Sequence, residues 1–473
     1  MKKLLLGTIL ASTAVPVFAG PILDSMTPKG MTWTAEGEDV SGAGETYTGL
    51  VFTRGNWTAE VAEMTISEKA NLTSLMMADG KMAKSNGDMT SFEGINLTFD
   101  RAVFNDLFET LQAGPTIITP EVCAKFDAPF DMSAEALSID AAGSTLSIES
   151  LSGRYDVVAP DENCIVDMEL AISGFSGVEK NGASTKFASI KLSAFSPMRA
   201  DHPVTDLSRD FEADLAITDL VFGYGGAEQA RIDSITSSSF VDVKSMAALA
   251  GSGYHELAGD LIRAEGDVNN INFSKFSLPK IWNALRETKA EGAFKIAGAE
   301  ITGQMAQMVT GSELLAQGRD LNFLTVYQKA SENIHFGLDI ESSDLLHSEL
   351  ELHLVMDGMD EGLASSGPSA LMMTMPISIA AAKLTLDDQG IGAYARSEFG
   401  LDHYSLIGPM VSSNLGPTKG EMVASWFEAV RNGGASVSIA PEAPLSLGMV
   451  FAGFMGDWAA FGEMMNVTVK PEM

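Results

Sequence analysis

Basic residues are scarce in this chain: 30 Lys and Arg stand against 63 Asp and Glu, a formal net charge of −33. Phosphate backbones are held by clustered Lys and Arg, and the folded part of the sequence has no such cluster, so no nucleic-acid partner is expected. An anionic membrane surface repels the chain for the same reason. Cysteine is nearly absent, with only Cys123 and Cys164, and neither lies in a CxxC pair or beside a His. That removes a catalytic thiol from consideration. Aromatic residues make up 8%, thin for the girdles of an outer-membrane β-barrel, and the sequence finishes on Pro471-Glu472-Met473 where bacterial barrels usually finish on an aromatic. Catalytic signatures are missing as well: no GxSxG elbow, no HExxH pair, no Walker phosphate loop and no complete GxGxxG. Gly223-Tyr224-Gly225-Gly226 and Gly390-Ile391-Gly392 read as turn glycines, and no cofactor or catalytic residue is nominated.

After the first turn of sequence there is no apolar run of spanning length, so no integral membrane segment is expected in the mature chain. The one long run lies at the start. Lys2 and Lys3 form a positive n-region, Leu4 to Ala14 an apolar h-region, Pro16 its end, and Val17-Phe18-Ala19 a cleavage site, so residues 1–19 read as a secretory signal peptide. Cleavage puts Gly20 at the mature N-terminus and, with no Cys following the site, leaves no lipid anchor there. Because Lys2 and Lys3 are the only charges removed, the mature chain is two units more negative than −33. The expected location is the periplasm. An oxidising compartment makes one disulfide between Cys123 and Cys164 the expectation, adding about 3 to 4 kcal/mol by restricting the unfolded chain.

What the sequence has in quantity is alternation. Val166, Met168, Leu170 and Ile172 face one way against Asp167 and Glu169, and Leu346, Leu350, Leu352, Leu354 and Met356 oppose His347, Glu349, Glu351 and His353. Turn pairs at hairpin spacing, Asp79-Gly80, Asn86-Gly87, Asn181-Gly182 and Asp388-Gln389-Gly390, separate such runs. The fold class that follows is a β-dominated α+β protein: mostly antiparallel, extended or curved sheets of amphipathic strands with a few packed helices. The spacing predicts helices over 102–112, from Pro279 to about Lys289, and over 419–432 with Thr418 and Glu421 as a capping box; 244–264 and 304–317 are further candidates. The polar stretch Pro197 to Asp210 suggests domains at 20–200 and 201–473, with a sub-boundary near 365. No fixed-period repeat is visible. The 26 Met residues make an adaptable interior.

One constellation carries geometric content. His347, Glu349, Glu351 and His353 share one face of a strand, about 6 to 7 Å apart, and could hold a divalent metal only if a neighbouring strand supplied further ligands. A solvated strand face accounts for the same four residues. Asp357, Asp360 and Glu361 around Gly358, and Asp387-Asp388 before Gly390, look like calcium loops but lack the spacing.

The strand texture, as in Ile165 to Ile172 and Leu346 to Met356, resembles the AsmA-like and YdgA-like periplasmic proteins of Proteobacteria. The resemblance implies a curved sheet with an apolar concave face that handles lipid or contacts an envelope protein. Residues 446 to 461, including Leu447, Met449, Val450, Phe451, Phe454, Met455, Trp458 and Phe461, could line that face or form a terminal core strand. Those families commonly keep an N-terminal anchor that this chain is expected to lose. The function expected is a soluble, non-enzymatic binding or envelope-assembly protein of the periplasm; an exported enzyme and an outer-membrane barrel are the alternatives.

Overall fold

The computed structural model describes residues 22–23, 30–41, 44–69, 72–100, 129–159, 165–197, 209–264, 270–301, 320–342, 345–359, 376–390, 392–393, 396–397, 400, 417–431, 433–446, 449–450 and 464–471. The chain divides into two compact units: residues up to Arg199 with Ala213–Arg231, and Ala200–Glu212 with everything from Ile232 onward. Antiparallel strands dominate both, with helices few, so the alternation in the sequence does produce a β-dominated α+β fold.

The first unit is a meander. β1 (Thr32–Thr34) and β2 (Gly37–Ser41) pair with successive stretches of β3 (Gly44–Arg54). From there β4 (Trp57–Lys69), β5 (Leu72–Lys84), β6 (Met89–Asp100), β7 (Phe130–Ala141), β8 (Ser144–Ala159), β9 (Ile165–Val178) and β10 (Ala183–Pro197) each pair with the strand before. β11 (Phe211–Tyr224) lies beside β10, where the Ser189 and Thr218 hydroxyls meet at 2.8 Å. Ala142-Gly143 and Gly225-Gly226 close their hairpins with positive φ at both residues, the twist that a tight hairpin needs.

Alternate residues turn inward, and the burial is complete: Tyr47, Leu50, Phe52, Met64, Ile66 and Ile95 expose no surface. Leu23, close behind the expected cleavage site, is buried in the same core. It is held by Glu45, a carboxylate only 2% exposed, which accepts hydrogen bonds from the Ile22 and Leu23 amides (2.9 and 3.2 Å) and from the Tyr47 hydroxyl (3.1 Å).

The meander contains a regularity that the sequence hides. Gly49 in β3, Asp79 in β5, Ala136 in β7, Gly174 in β9 and Asp219 in β11 all take positive φ between 49° and 62°. Between β3 and β4 the ladder passes from Thr48↔Glu63 to Leu50↔Val61, and between β4 and β5 from Glu63↔Ala78 to Val61↔Gly80, so the left-handed residue sits in a gap of the pairing. A break of this kind bends a strand and raises its twist. Asp79-Gly80 is therefore not a hairpin turn, as its composition suggests, but a bend in the middle of β5, where Gly80 lies under the Phe92 ring of β6.

In the second unit, the later part of β12 (Ala227–Val241) leads into helices α1 (Val243–Leu249) and α2 (Tyr254–Arg263), a 3-10 turn at Phe273–Lys275, and α3 (Leu278–Arg286). The single helix expected over 244–264 is two, because Gly251 and Gly253 take positive φ between them. Asp242 caps α1 through the Lys244 amide, and α3 buries Ile281 as expected but stops at Arg286, since Lys289 already belongs to a strand. The strands β13 (Lys289–Ile301), β14 (Leu321–Ala330), β15 (Asn333–Ser342), β16 (Leu346–Met356) and β17 (Ile377–Asp388) run as a second meander. β18 (Ala435–Ile439) and β19 (Leu445–Ser446) pair with β17, and β20 (Val467–Pro471) with β18. Helix α4 (Pro417–Arg431) packs on β17, β18 and β20; it starts at Pro417, one residue before the expected cap Thr418, because proline's fixed φ suits a first helical turn. The helices expected over 102–112 and 304–317 lie outside the described residues, as do Cys123 and Cys164.

Candidate binding face

Register in the second unit gathers one side of five strands into a continuous apolar floor. Phe294 and Ile296 of β13 stand opposite Thr325 and Phe323 of β14; Phe323 stands opposite Ile340 of β15, and Tyr327 opposite Phe336. Phe336 and Leu338 oppose Leu352 and Leu350 of β16, and Leu350 opposes Leu384 of β17. Phe294 and Phe323 meet edge to face with centroids 6.1 Å apart. None of the large apolar residues of β13, β14 and β15 is fully buried: Ile301, Leu321 and Tyr327 are exposed and the others partly buried. This separates the second meander from β3 to β8 of the first, where residues such as Leu50, Phe52, Met64, Ile66, Ile95, Leu137 and Ile148 are sealed.

The other side of the same strands is polar, and here lie the four residues singled out for metal chemistry. His347 Nε2 meets Asp339 Oδ1 at 3.1 Å, His353 Nε2 meets Asn333 Oδ1 at 3.2 Å, and the Glu349 carboxylate lies 3.9 Å from Lys383 Nζ. Glu351 stands in register with Gly337 and Lys383. Each imidazole thus has an oxygen partner across the sheet, and among the described residues no group of three His, Cys, Asp or Glu is close enough to hold an ion. The acidic turns serve the backbone: Asp388 accepts from the Gly390 and Gly392 amides, and Asp357 from the Ser378 hydroxyl at 2.5 Å.

Lys329 was not anticipated. It is 7% exposed, on the apolar side of β14 next to its end, and its ammonium donates to the carbonyls of Arg286 (2.9 Å), Thr288 (2.9 Å) and Ser331 (2.7 Å). Burial lowers its pKa to about 8, with Glu287 and Glu332 pulling the other way. Desolvation also raises the pKa of Tyr327. Ser277 and Lys280 have the spacing of an SxxK pair at the start of α3, but the Lys280 ammonium donates to the Gly251 carbonyl.

The apolar stretch 446–461 is described only at Ser446, Met449 and Val450; Val450 packs beside Leu445, Met465, Ile439 and Val467, a small terminal core. The floor on β13 to β17 had a signal in the alternation Ile334, Phe336, Leu338, Ile340, which reads like any amphipathic strand until burial is known. Compared with known proteins, the chain matches no family model, no curated protein and no solved structure.

Proposed function

We propose that the chain is a non-enzymatic binding or assembly protein of the periplasm, whose second unit receives an apolar ligand or the apolar surface of an envelope partner on the β13 to β17 face. One observation supports the reading: of two meanders of the same alternating texture, β3 to β8 of the first bury their inward residues almost completely, while the matching apolar residues of β13 to β15 are only partly buried. Five strands about 4.8 Å apart, with about ten residues each rising about 3.3 Å, make this face roughly 800 Å². No described helix is long and apolar enough to cross a membrane, which is compatible with release of the exported chain into the periplasm. The likeness of its strands to AsmA-like proteins points the same way.

The test is uptake of a neutral apolar dye, Nile red, by protein purified without detergent, with native mass spectrometry of the same sample. Saturable dye binding that Leu350→Glu removes supports the face. A clean apo mass with no dye uptake overturns it. Release by osmotic shock with Gly20 as N-terminal residue checks the location; recovery only in detergent-extracted outer membrane refutes it.

A further inference from the structure

The first unit holds a charge where its core has room only for apolar groups. The inward positions at the start of β3 are Glu45 and Tyr47, and they stand opposite Ile66 and Met64 of β4, which expose no surface. A carboxylate 2% exposed in that row carries a desolvation cost that packing alone does not offset. Its hydrogen bonds say what it is kept for. One oxygen accepts from the Ile22 amide, the other from the Leu23 amide and the Tyr47 hydroxyl. Glu45 therefore grips main chain, two successive N–H groups, while the wholly buried Leu23 side chain enters the core. Tyr47 is braced in turn by the Trp33 ring, edge to face with centroids 5.9 Å apart.

We infer that Glu45 and Tyr47 form a seat for an apolar peptide, which the chain fills with Ile22-Leu23 as a releasable strap and which accepts a leucine-bearing segment in trans when the strap is out. Two features point to a seat rather than a fixed part of the sheet. Ile22 and Leu23 form a turn and belong to no strand, so lifting them breaks none of the pairings of β3 with β1, β2 and β4. The expected cleavage after Ala19 also places the strap next to a free chain end. Main-chain donors supply the grip and one side chain the selectivity, the division of labour by which extended peptides are commonly recognised. An ionised carboxylate has no donor to offer a phosphate or a fatty-acid headgroup and repels both. The class it takes is a peptide with two adjacent amide donors and a branched apolar side chain. This seat is separate from the β13 to β17 face and stands or falls without it.

In the wild type the tethered strap outcompetes a free peptide, so the experiment uses the whole exported chain carrying Leu23→Asp, which empties the seat. Two peptides of residues 20–25, each with fluorescein at its C-terminal end, are titrated by anisotropy: one of native sequence and one carrying Leu23→Asp. The expected result is saturable binding of one native peptide per chain. Binding should be at least tenfold weaker for the altered peptide, for wild-type protein, and once Glu45→Gln is added to the protein, since an amide leaves only one oxygen to accept. Binding that survives Glu45→Gln, or that ignores the change in the peptide, is binding elsewhere and overturns the proposal. A folded Leu23→Asp chain that takes up neither peptide overturns it as well. Should that chain not fold, amide exchange of the wild type decides. A Leu23 amide exchanging at least tenfold faster than those of Leu50 and Phe52, at a rate insensitive to low urea, supports a strap that opens by itself; exchange of all three together, only with global unfolding, sinks it.

Discussion

Replacing Gly80 by Ala tests how the first unit is held together. Gly80 lies in β5 and pairs with Phe92 of β6, and a Cβ built on it falls inside the Phe92 ring, with Cζ, Cε1 and Cε2 as the atoms struck. Its backbone is ordinary, since it is Asp79 and not Gly80 that takes positive φ, so the whole effect comes from space. Phe92 is 6% exposed within the core, and the ring must swing out for the methyl to fit. Losing its burial costs about 1.5 to 3 kcal/mol, and the 3 to 5 kcal/mol of a buried Phe→Ala change is the ceiling. Against this, Ala restricts the unfolded chain and returns about 0.4 to 1 kcal/mol. The expected net loss is about 1 to 3 kcal/mol, read as a lower urea midpoint at unchanged slope.

The sharper readout is the sign in a second background. Once Phe92→Ala has emptied the space, Gly80→Ala should become neutral or stabilising by about 0.5 kcal/mol, because only the unfolded-chain gain remains. Equal costs in the two backgrounds would refute the ring-over-glycine account.

Three further outcomes follow from the same structure. Ala136→Gly relieves a left-handed residue and should raise stability by about 1 kcal/mol, while Gly174→Ala meets both its φ of 62° and the Glu149 side chain and should cost about 2 kcal/mol or more; equal effects in urea unfolding would count against the bend. Glu45→Ala strips three hydrogen bonds from a buried acceptor and should cost about 2 to 3 kcal/mol, with faster amide exchange at Leu23 by mass spectrometry; unchanged exchange would show that Glu45 does not hold the segment. Lys329 has a folded pKa of about 8 against 10.5 free, so between those pH values the unfolded chain binds more protons and this group makes stability rise with pH. Its burial cost, up to about 3 kcal/mol, is complete below pH 8 and gone above 10.5, so the stability difference between wild type and Lys329→Met should shift in favour of wild type across that window; a flat difference would refute the shift.

Strand alternation made the fold class legible, because a period of two survives any detail of packing, and Pro279 and Gly433-Gly434 marked helix ends for reasons local to the backbone. The bends were not legible. Five left-handed positions are filled by Gly, Asp, Ala, Gly and Asp, and insertions of unequal length between hairpins spoil the spacing, so the repeat exists in φ and not in letters. Asp79-Gly80 misled for the same reason: a pair that suits a turn also suits a mid-strand bend, and what decides is Phe92, twelve residues away from Gly80 on the next strand. Lys329 was hidden because a lysine in a strand reads as solvent-facing, and only the carbonyls left over at the end of α3 and in the β14 to β15 turn give it a reason to be buried.

The candidate face was half legible. Its residues could be assigned to one side of a sheet from alternation alone, but alternation is identical for a side that is sealed and a side that is open. The difference is one of cover. In the first unit Leu23 and rings such as Phe52, Phe92 and Phe99 close over the strands, so the alternation there describes a core. In the second, Phe294, Phe323, Phe336 and Leu350 present the same chemistry with surface left exposed. Exposed apolar area is costly in water at about 25 cal/mol per Å², so a face that closes only partly on folding keeps a driving force for whatever completes it.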